Sequence, residues 1–281
     1  MFKKSIVIVL FVLAAASYVG AIEFKDLKAT DPAYPAVMNM VDVYRAIAGY
    51  PDGTFKGSRG ITRAEFSKTM TNSLDYLEQK YQKPLAEEPS KKEAAFKDLK
   101  TTHWAYPFVA TLVSKYNLVS GYPDGTFQPA RNISRYELAS LLGKTVKLIY
   151  GSHNLTVPKL EALEYGDVKS NHWAAQDILL LSHYDILPGE SKKLFGGKNN
   201  ATRFEVVVAI DQIIRITEKA LAARGVAAVA PVSEMLKPLR KGQLAITGGW
   251  GNIFESASST NNWMGFHLGA TYTDVLDLLM F

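Results

Sequence analysis

The sequence predicts a mainly α fold: three helix-loop-helix repeats that must pack on one another, followed by a short β-strand segment. Three observations predict it. A hydroxyl residue is followed by Arg, any residue and Glu at Thr62-Arg63-Ala64-Glu65, Ser134-Arg135-Tyr136-Glu137 and Thr202-Arg203-Phe204-Glu205, and an apolar helical run follows each. An aromatic-x-Asp-aliphatic tetrad lies upstream of each: Phe24-Lys25-Asp26-Leu27, Phe96-Lys97-Asp98-Leu99 and Tyr165-Gly166-Asp167-Val168. The Asp-to-Arg separations are 37, 37 and 36 residues. Beyond Lys241 the pattern changes to alternation, with Met264, Phe266, Leu268 and Tyr272 on one face of a run from Asn262 to Thr273.

Residues 1–21 read as a secretory signal: Lys3 and Lys4, an apolar run from Ser5 to Ser17, and Val19-Gly20-Ala21 as a small-residue cleavage site. The run falls short of the roughly 20 residues that span a bilayer, so cleavage after Ala21 is expected rather than a retained anchor. The first helix of repeat two is expected behind an N-cap at Thr102, with Trp104, Phe108, Leu112 and Tyr116 on one core-seeking face. Repeat three places Asn171, His172, Trp173 and Ala174 at the same points. Repeat one has Asp31 and Pro32 instead, an N-cap and N1 pair. Next come two identical loops, Gly49-Tyr50-Pro51-Asp52-Gly53-Thr54-Phe55 and Gly121-Tyr122-Pro123-Asp124-Gly125-Thr126-Phe127, in which Pro and Gly set a tight turn. Repeat three keeps only Leu187-Pro188-Gly189 and Leu194-Phe195-Gly196.

The second helix of each repeat begins at S/T-x-x-E, a capping box in which the hydroxyl accepts from the N3 amide and the Glu reaches back to the N-cap amide. It continues with Phe66, Met70 and Leu74 in repeat one, and Leu138, Leu142 and Val146 in repeat two. A cation in the first helical turn opposes the helix dipole by about 0.3 to 1 kcal/mol, so an Arg recurring there three times points to an anion. A pair of helices in about 55 residues buries too little surface to stand alone, so the three must associate. The boundaries are residues 22–77, 96–150 and 165–217 for the repeats. Residues 78–95 and 151–164 are linkers, 218–240 an Ala/Val-rich spacer with Pro231, and 241–281 the β-strand segment.

The order and spacing of F-x-D, H-W-A, G-Y-P-D-G-T-F and [IL]-[TS]-R-x-E resemble S-layer homology (SLH) domains, over residues 24 to 217, in two full copies and one degenerate copy. The resemblance implies a pseudo-threefold bundle. It also implies a non-catalytic cell-envelope anchor that binds an anionic, pyruvylated cell-wall polysaccharide in grooves between repeats. By the same resemblance Asp26, Asp98 and Asp167 line those grooves with Arg63, Arg135 and Arg203, and Gly49 and Gly121 belong to the groove loops. Trp104 and Trp173 fit either core packing on the apolar stripe or stacking on a pyranose face.

The chemistry of the residues agrees. A ketal carboxylate is a planar anion that a guanidinium binds bidentately, and the open N–H groups of a helix N-terminus add positive potential. The competing reading is that each Arg pairs with a nearby Asp and locks one repeat onto the next.

The formal charge is +5, and loss of Lys3 and Lys4 leaves a mildly basic mature chain; this gives nucleic-acid binding no support and suits an acidic wall polymer. The partner that the resemblance implies is a secondary cell-wall polysaccharide or a peptidoglycan-linked glycan. Cysteine is absent, which excludes disulfides, thiol catalysis and thiolate metal sites. There is no H-E-x-x-H, G-x-S-x-G, phosphate loop or calcium loop; His103, His153, His172, His183 and His267 are scattered, and the Glu of each box is used by its cap. The protein is therefore expected not to be an enzyme and to need no metal or cofactor. The alternative is a porin-like outer-membrane protein, or a fragment of one, tethered to peptidoglycan by its repeats. A barrel needs at least eight strands of about 9 to 11 residues, and residues 241–281 hold three or four. The address is the cell envelope: cell wall and S-layer, or periplasm and outer membrane.

Overall fold

The computed structural model describes residues 22–86, 94–160 and 165–229, and the backbone of 246–247 and 267–268. The expected signal segment and most of the expected strand segment lie outside the described residues. The chain divides into two units, one ending at Ala227 and one beginning at Ala228. In the second, β1 (Ile246–Thr247) pairs antiparallel with β2 (His267–Leu268), Ile246 opposite Leu268.

The first unit is a pseudo-threefold helical bundle. Its elements are α1 (Tyr34–Met38), continued by a wide π turn (Asn39–Val43), α2 (Arg63–Tyr81), α3 (Tyr106–Ser114), α4 (Arg135–Ser152), α5 (Ala175–His183) and α6 (Arg203–Ala223). The long helices α2, α4 and α6 start at the three capping boxes, and all three boxes are formed in both directions. Phe66, Met70, Leu74, Leu138, Leu142 and Val146 are buried at the expected spacing. The long helix of each repeat packs on the short helix of the next: α2 on α3, α4 on α5, and α6 back on α1. The ring is thus closed.

Backbone hydrogen bonds close it as well. The three segments ahead of the boxes bond in a triangle, Ile61 N–H to the Ala201 carbonyl, Ala201 to Ile133 and Ile133 to Ile61, at 3.0, 2.9 and 3.1 Å. Unpaired amides buried at such a junction would be costly, and here each segment satisfies another.

The short helices begin later than the sequence periodicity suggests. α3 starts at Tyr106 behind Ala105, not at Thr102, and the preceding turn is capped by His103, whose Nδ1 accepts from the Ala105 N–H at 3.1 Å. His172 does the same for Ala174 at 3.2 Å. Trp104 therefore precedes the helix, where a four-residue spacing no longer measures helical phase, and the buried stripe is Ala105, Val109, Leu112, Val113 and Tyr116. In repeat one Asp31 accepts from the Lys28 N–H at 2.6 Å and closes a turn, while α1 starts at Tyr34 behind Ala33. The stretch expected as a solvated linker after residue 77 is packed at both ends: α2 runs on to Tyr81, and Leu85 and Ala94 are buried.

Repeat three keeps the loop framework despite its missing heptapeptide. Arg45, Asn117 and Asp185 all adopt positive φ, and one residue fewer separates Leu181 from Asp185 than Leu112 from Asn117. The one-residue shortening is absorbed in that turn. Gly189 then occupies the place of Gly49 and Gly121, each with an aromatic ring of its own tetrad where a Cβ would stand.

Candidate functional site

The three capping-box arginines lie at the junctions between repeats. Arg63 donates through Nε to the Phe127 carbonyl (2.7 Å) and through Nη2 to Ser120 (2.9 Å). Arg135 does the same to Phe195 and Pro188 (3.0 and 2.6 Å), and Arg203 to Phe55 and Ala48 (both 3.0 Å). Each guanidinium thus holds the loop of the following repeat, with repeat three reaching back to repeat one. Aromatic faces cover them: Tyr122 and Phe127 over Arg63, Phe195 over Arg135, Tyr50 and Phe55 over Arg203, at 4.3 to 4.9 Å.

Relative exposure is 9% for Arg63 and 3% for Arg135 and Arg203. Burial lowers their pKa below the usual guanidinium value, opposed by Tyr122 and Glu137 at Arg63 and by Tyr50 and Glu65 at Arg203. Arginine stays cationic throughout.

The expectation of open helix N-termini is corrected. The N1 and N2 amides of all three long helices donate to the neighbouring repeat: Arg63 and Ala64 to Arg131 and Pro129, Arg135 and Tyr136 to Asn199 and Gly197, Arg203 and Phe204 to Arg59 and Gly57, at 2.9 to 3.0 Å. The third amide goes to the cap hydroxyl, at 3.2 Å in each case. No N–H of the first turn is left for an anion.

The three Asp residues grip their own loops. Asp26 accepts from Phe55 and Lys56 N–H, Asp98 from Phe127 and Gln128, Asp167 from Phe195 and Gly196, at 2.7 to 2.9 Å. The second amide of each pair belongs to a residue with positive φ, 54° at Lys56 and 56° at Gln128, so the carboxylate holds a strained turn in place. Slight burial raises the pKa of Asp26 and Asp167, but the two amide bonds outweigh it and hold both below the usual carboxylate value. Among the described residues, none of these Asp pairs with a junction Arg. Gly49 and Gly121 are required for close approach, since a Cβ would meet the rings of Phe24 at 2.2 Å and Phe96 at 2.5 Å.

Trp104 and Trp173 are 53% and 61% exposed, so core packing is not their role. Each lies beside the capping His of its turn, and Trp173 also meets Tyr136 edge-on at 6.2 Å.

Four site residues escaped the sequence reading. Arg59 and Tyr50 both bond Oε1 of Glu65, and Arg131 and Tyr122 both bond Oε1 of Glu137. Arg203 lies within electrostatic reach of Arg59, Glu65 and Asp26, and Arg63 within reach of Arg131, Glu137 and Asp98. Burial raises the pKa of both Glu residues, but the cap bonds and the Arg beside each outweigh it, leaving them lowered. The signal was present: Arg59 and Arg131 each stand four residues before a capping-box Arg. Next to the Ser120 loop, an open cleft of about 530 Å³ is lined by Leu118, Val119, Lys144 and Lys147 among others.

Compared with known families, the chain matches the S-layer homology domain three times, at residues 23–67, 95–139 and 164–207. It carries three S-layer homology domains. A cellulosome-anchoring protein of Acetivibrio thermocellus is 35% identical over 159 residues, 57% of this chain and 32% of that protein. An endoglucanase of Bacillus sp. (strain KSM-635) is 27% identical over 69% of this chain and 19% of its own length. An S-layer protein of Bacillus thuringiensis subsp. finitimus is 27% identical over 62% of this chain and 19% of its own. The chain thus spans about a third or less of the length of these relatives. Among the described residues no helix is long and apolar enough to cross a membrane.

Proposed function

We propose that this protein is a non-catalytic anchor, exported and held at the cell envelope by its SLH domains, which bind an anionic wall polysaccharide where repeats meet. One observation supports the reading: at two junctions a half-exposed guanidinium, Arg59 or Arg131, pairs with a carboxylate already committed to a helix cap, beside a second, buried guanidinium, Arg203 or Arg63. A pyruvate ketal carboxylate is a planar anion that suits the fork of the half-exposed guanidinium. Arg59 and Arg131 are the more exposed partners and make the direct contact. Arg63, Arg135 and Arg203 hold the loops and add positive potential from beneath; Asp26, Asp98, Asp167, Gly49 and Gly121 fix the loop that shapes the groove; Trp104 and Trp173 offer pyranose-stacking faces. The cleft at Ser120, lined by Lys144, favours the groove at the junction of repeats one and two, where Ser120 accepts from Arg63; Lys147 beside it is paired with Asp177.

Cosedimentation with isolated wall sacculi tests this. The protein pellets with untreated sacculi and stays in solution after mild acid has removed the ketals; equal pelleting with both rejects an anionic ligand. The antiparallel pairing of Ile246–Thr247 with His267–Leu268 supports a second reading, a porin-like outer-membrane fragment tethered by the repeats. Heat-modifiable electrophoretic mobility of detergent-extracted protein separates it from an anchor that purifies without detergent.

A further inference from the structure

The three junctions are built alike but charged differently. Pro188 offers Arg135 the carbonyl that Ala48 and Ser120 offer Arg203 and Arg63, so Glu190, two residues on, stands where Tyr50 and Tyr122 stand. Asn199 accepts the Arg135 N–H as Arg59 and Arg131 accept those of Arg203 and Arg63, so Asn199 stands in the place of those arginines. The pair is joined, Asn199 Nδ2 donating to Glu190 Oε1 at 2.6 Å.

At the junction of repeats two and three, one guanidinium, Arg135, therefore meets three carboxylates: Glu205, with which it pairs, Glu190 and Asp167. The other two junctions hold two guanidiniums and two carboxylates each: Arg63 and Arg131 with Glu137 and Asp98, and Arg203 and Arg59 with Glu65 and Asp26. Lys192, Lys193 and Lys198 lie on the same loop and are exposed, as Glu190 is, but among the described residues none of them forms an ion pair with Glu190 or Glu205.

We propose that the junction of repeats two and three rejects the anionic glycan that the other two accept, with Glu190 and Asn199 as the specificity-determining residues. Like charges placed together across an interface suppress binding, here by roughly a hundredfold. The inference rests on the glycan reading above and deepens it.

Titration calorimetry of the full mature chain with a methyl glycoside of a pyruvate-ketal N-acetylhexosamine tests it. The parent protein binds two equivalents. Glu190→Tyr with Asn199→Arg raises this to three, and Glu190→Gln alone yields a weak third site. Tyr122→Glu with Arg131→Asn lowers it to one, circular dichroism confirming the helices in each variant. Three equivalents in the parent, or two in the Glu190→Tyr/Asn199→Arg protein, overturn the inference while leaving the glycan reading intact. No heat with any variant overturns both.

Discussion

Arg135 donates to two carbonyls of another repeat and pairs with Glu205, so removing it leaves three acceptors unsatisfied in a nearly sealed site. Arg135→Ala is predicted to cost about 2 to 4 kcal/mol in urea unfolding, within the range for breaking buried charged hydrogen bonds. Arg135→Lys should recover little of it, because an ammonium cannot reproduce the fork. Substituting the buried arginines thus tests the fold before it tests the glycan. Acid titration probes the loop clamps. The folded pKa values of Asp26 and Asp167 are depressed, so their stabilisation is complete above the unfolded carboxylate value of about 3.9 and is lost as pH falls through the folded values. Asp26→Asn with Asp167→Asn should flatten the loss of stability below about pH 4 in pH-dependent melts. The capping boxes were legible in the sequence because all their atoms lie within four residues. The partners of Arg63 and Arg203 were not, because they are 57 to 155 residues away and are main-chain carbonyls, which no side-chain motif encodes.

Between elements, the packing is tuned by exchange of large and small residues across each junction. Phe204 and Tyr136 lay their rings on Gly57 and Gly197, while repeat one supplies Ala64 against Pro129. A Cβ on Gly197 would stand 2.1 Å from the Tyr136 ring, so Gly197→Ala should cost about 1 to 3 kcal/mol of stability through overpacking, read as a lower melting temperature. Gly143, inside α4, would place a Cβ 2.6 Å from Cβ of Asp177 on α5. Gly143→Ala gains up to about 1 kcal/mol of helix propensity but must push the helices apart, and net destabilisation in thermal melts is expected. The long helices were readable as elements because their caps and apolar spacing agree. The short ones begin a few residues later than their apolar spacing predicts because turns capped by His103, His172 and Asp31 precede them, which leaves Trp104 outside its helix.

For the whole molecule, closure of the ring is the governing fact. Without repeat three, Ile61 loses its Ala201 acceptor, Arg135 and Tyr136 lose Asn199 and Gly197, and the buried face of α6 is gone. A chain ending before Tyr165 should show no sharp thermal transition, whereas the full chain melts in one. The need for three repeats to pack together followed from their spacing, and the resemblance to SLH domains implied the threefold arrangement; the unequal charge of the junctions followed from neither, because the roles of Arg59 and Arg131 are recognisable only once each is seen paired with the Glu of a helix cap. The central claim is that these half-exposed guanidiniums hold the wall glycan, and the most direct measurement is sacculus cosedimentation of Arg59→Gln with Arg131→Gln. Both side chains are about 40% exposed and lie outside the buried clasp. The account predicts an intact fold by circular dichroism and a loss of pelleting of at least roughly tenfold; pelleting equal to that of the unaltered protein would contradict it.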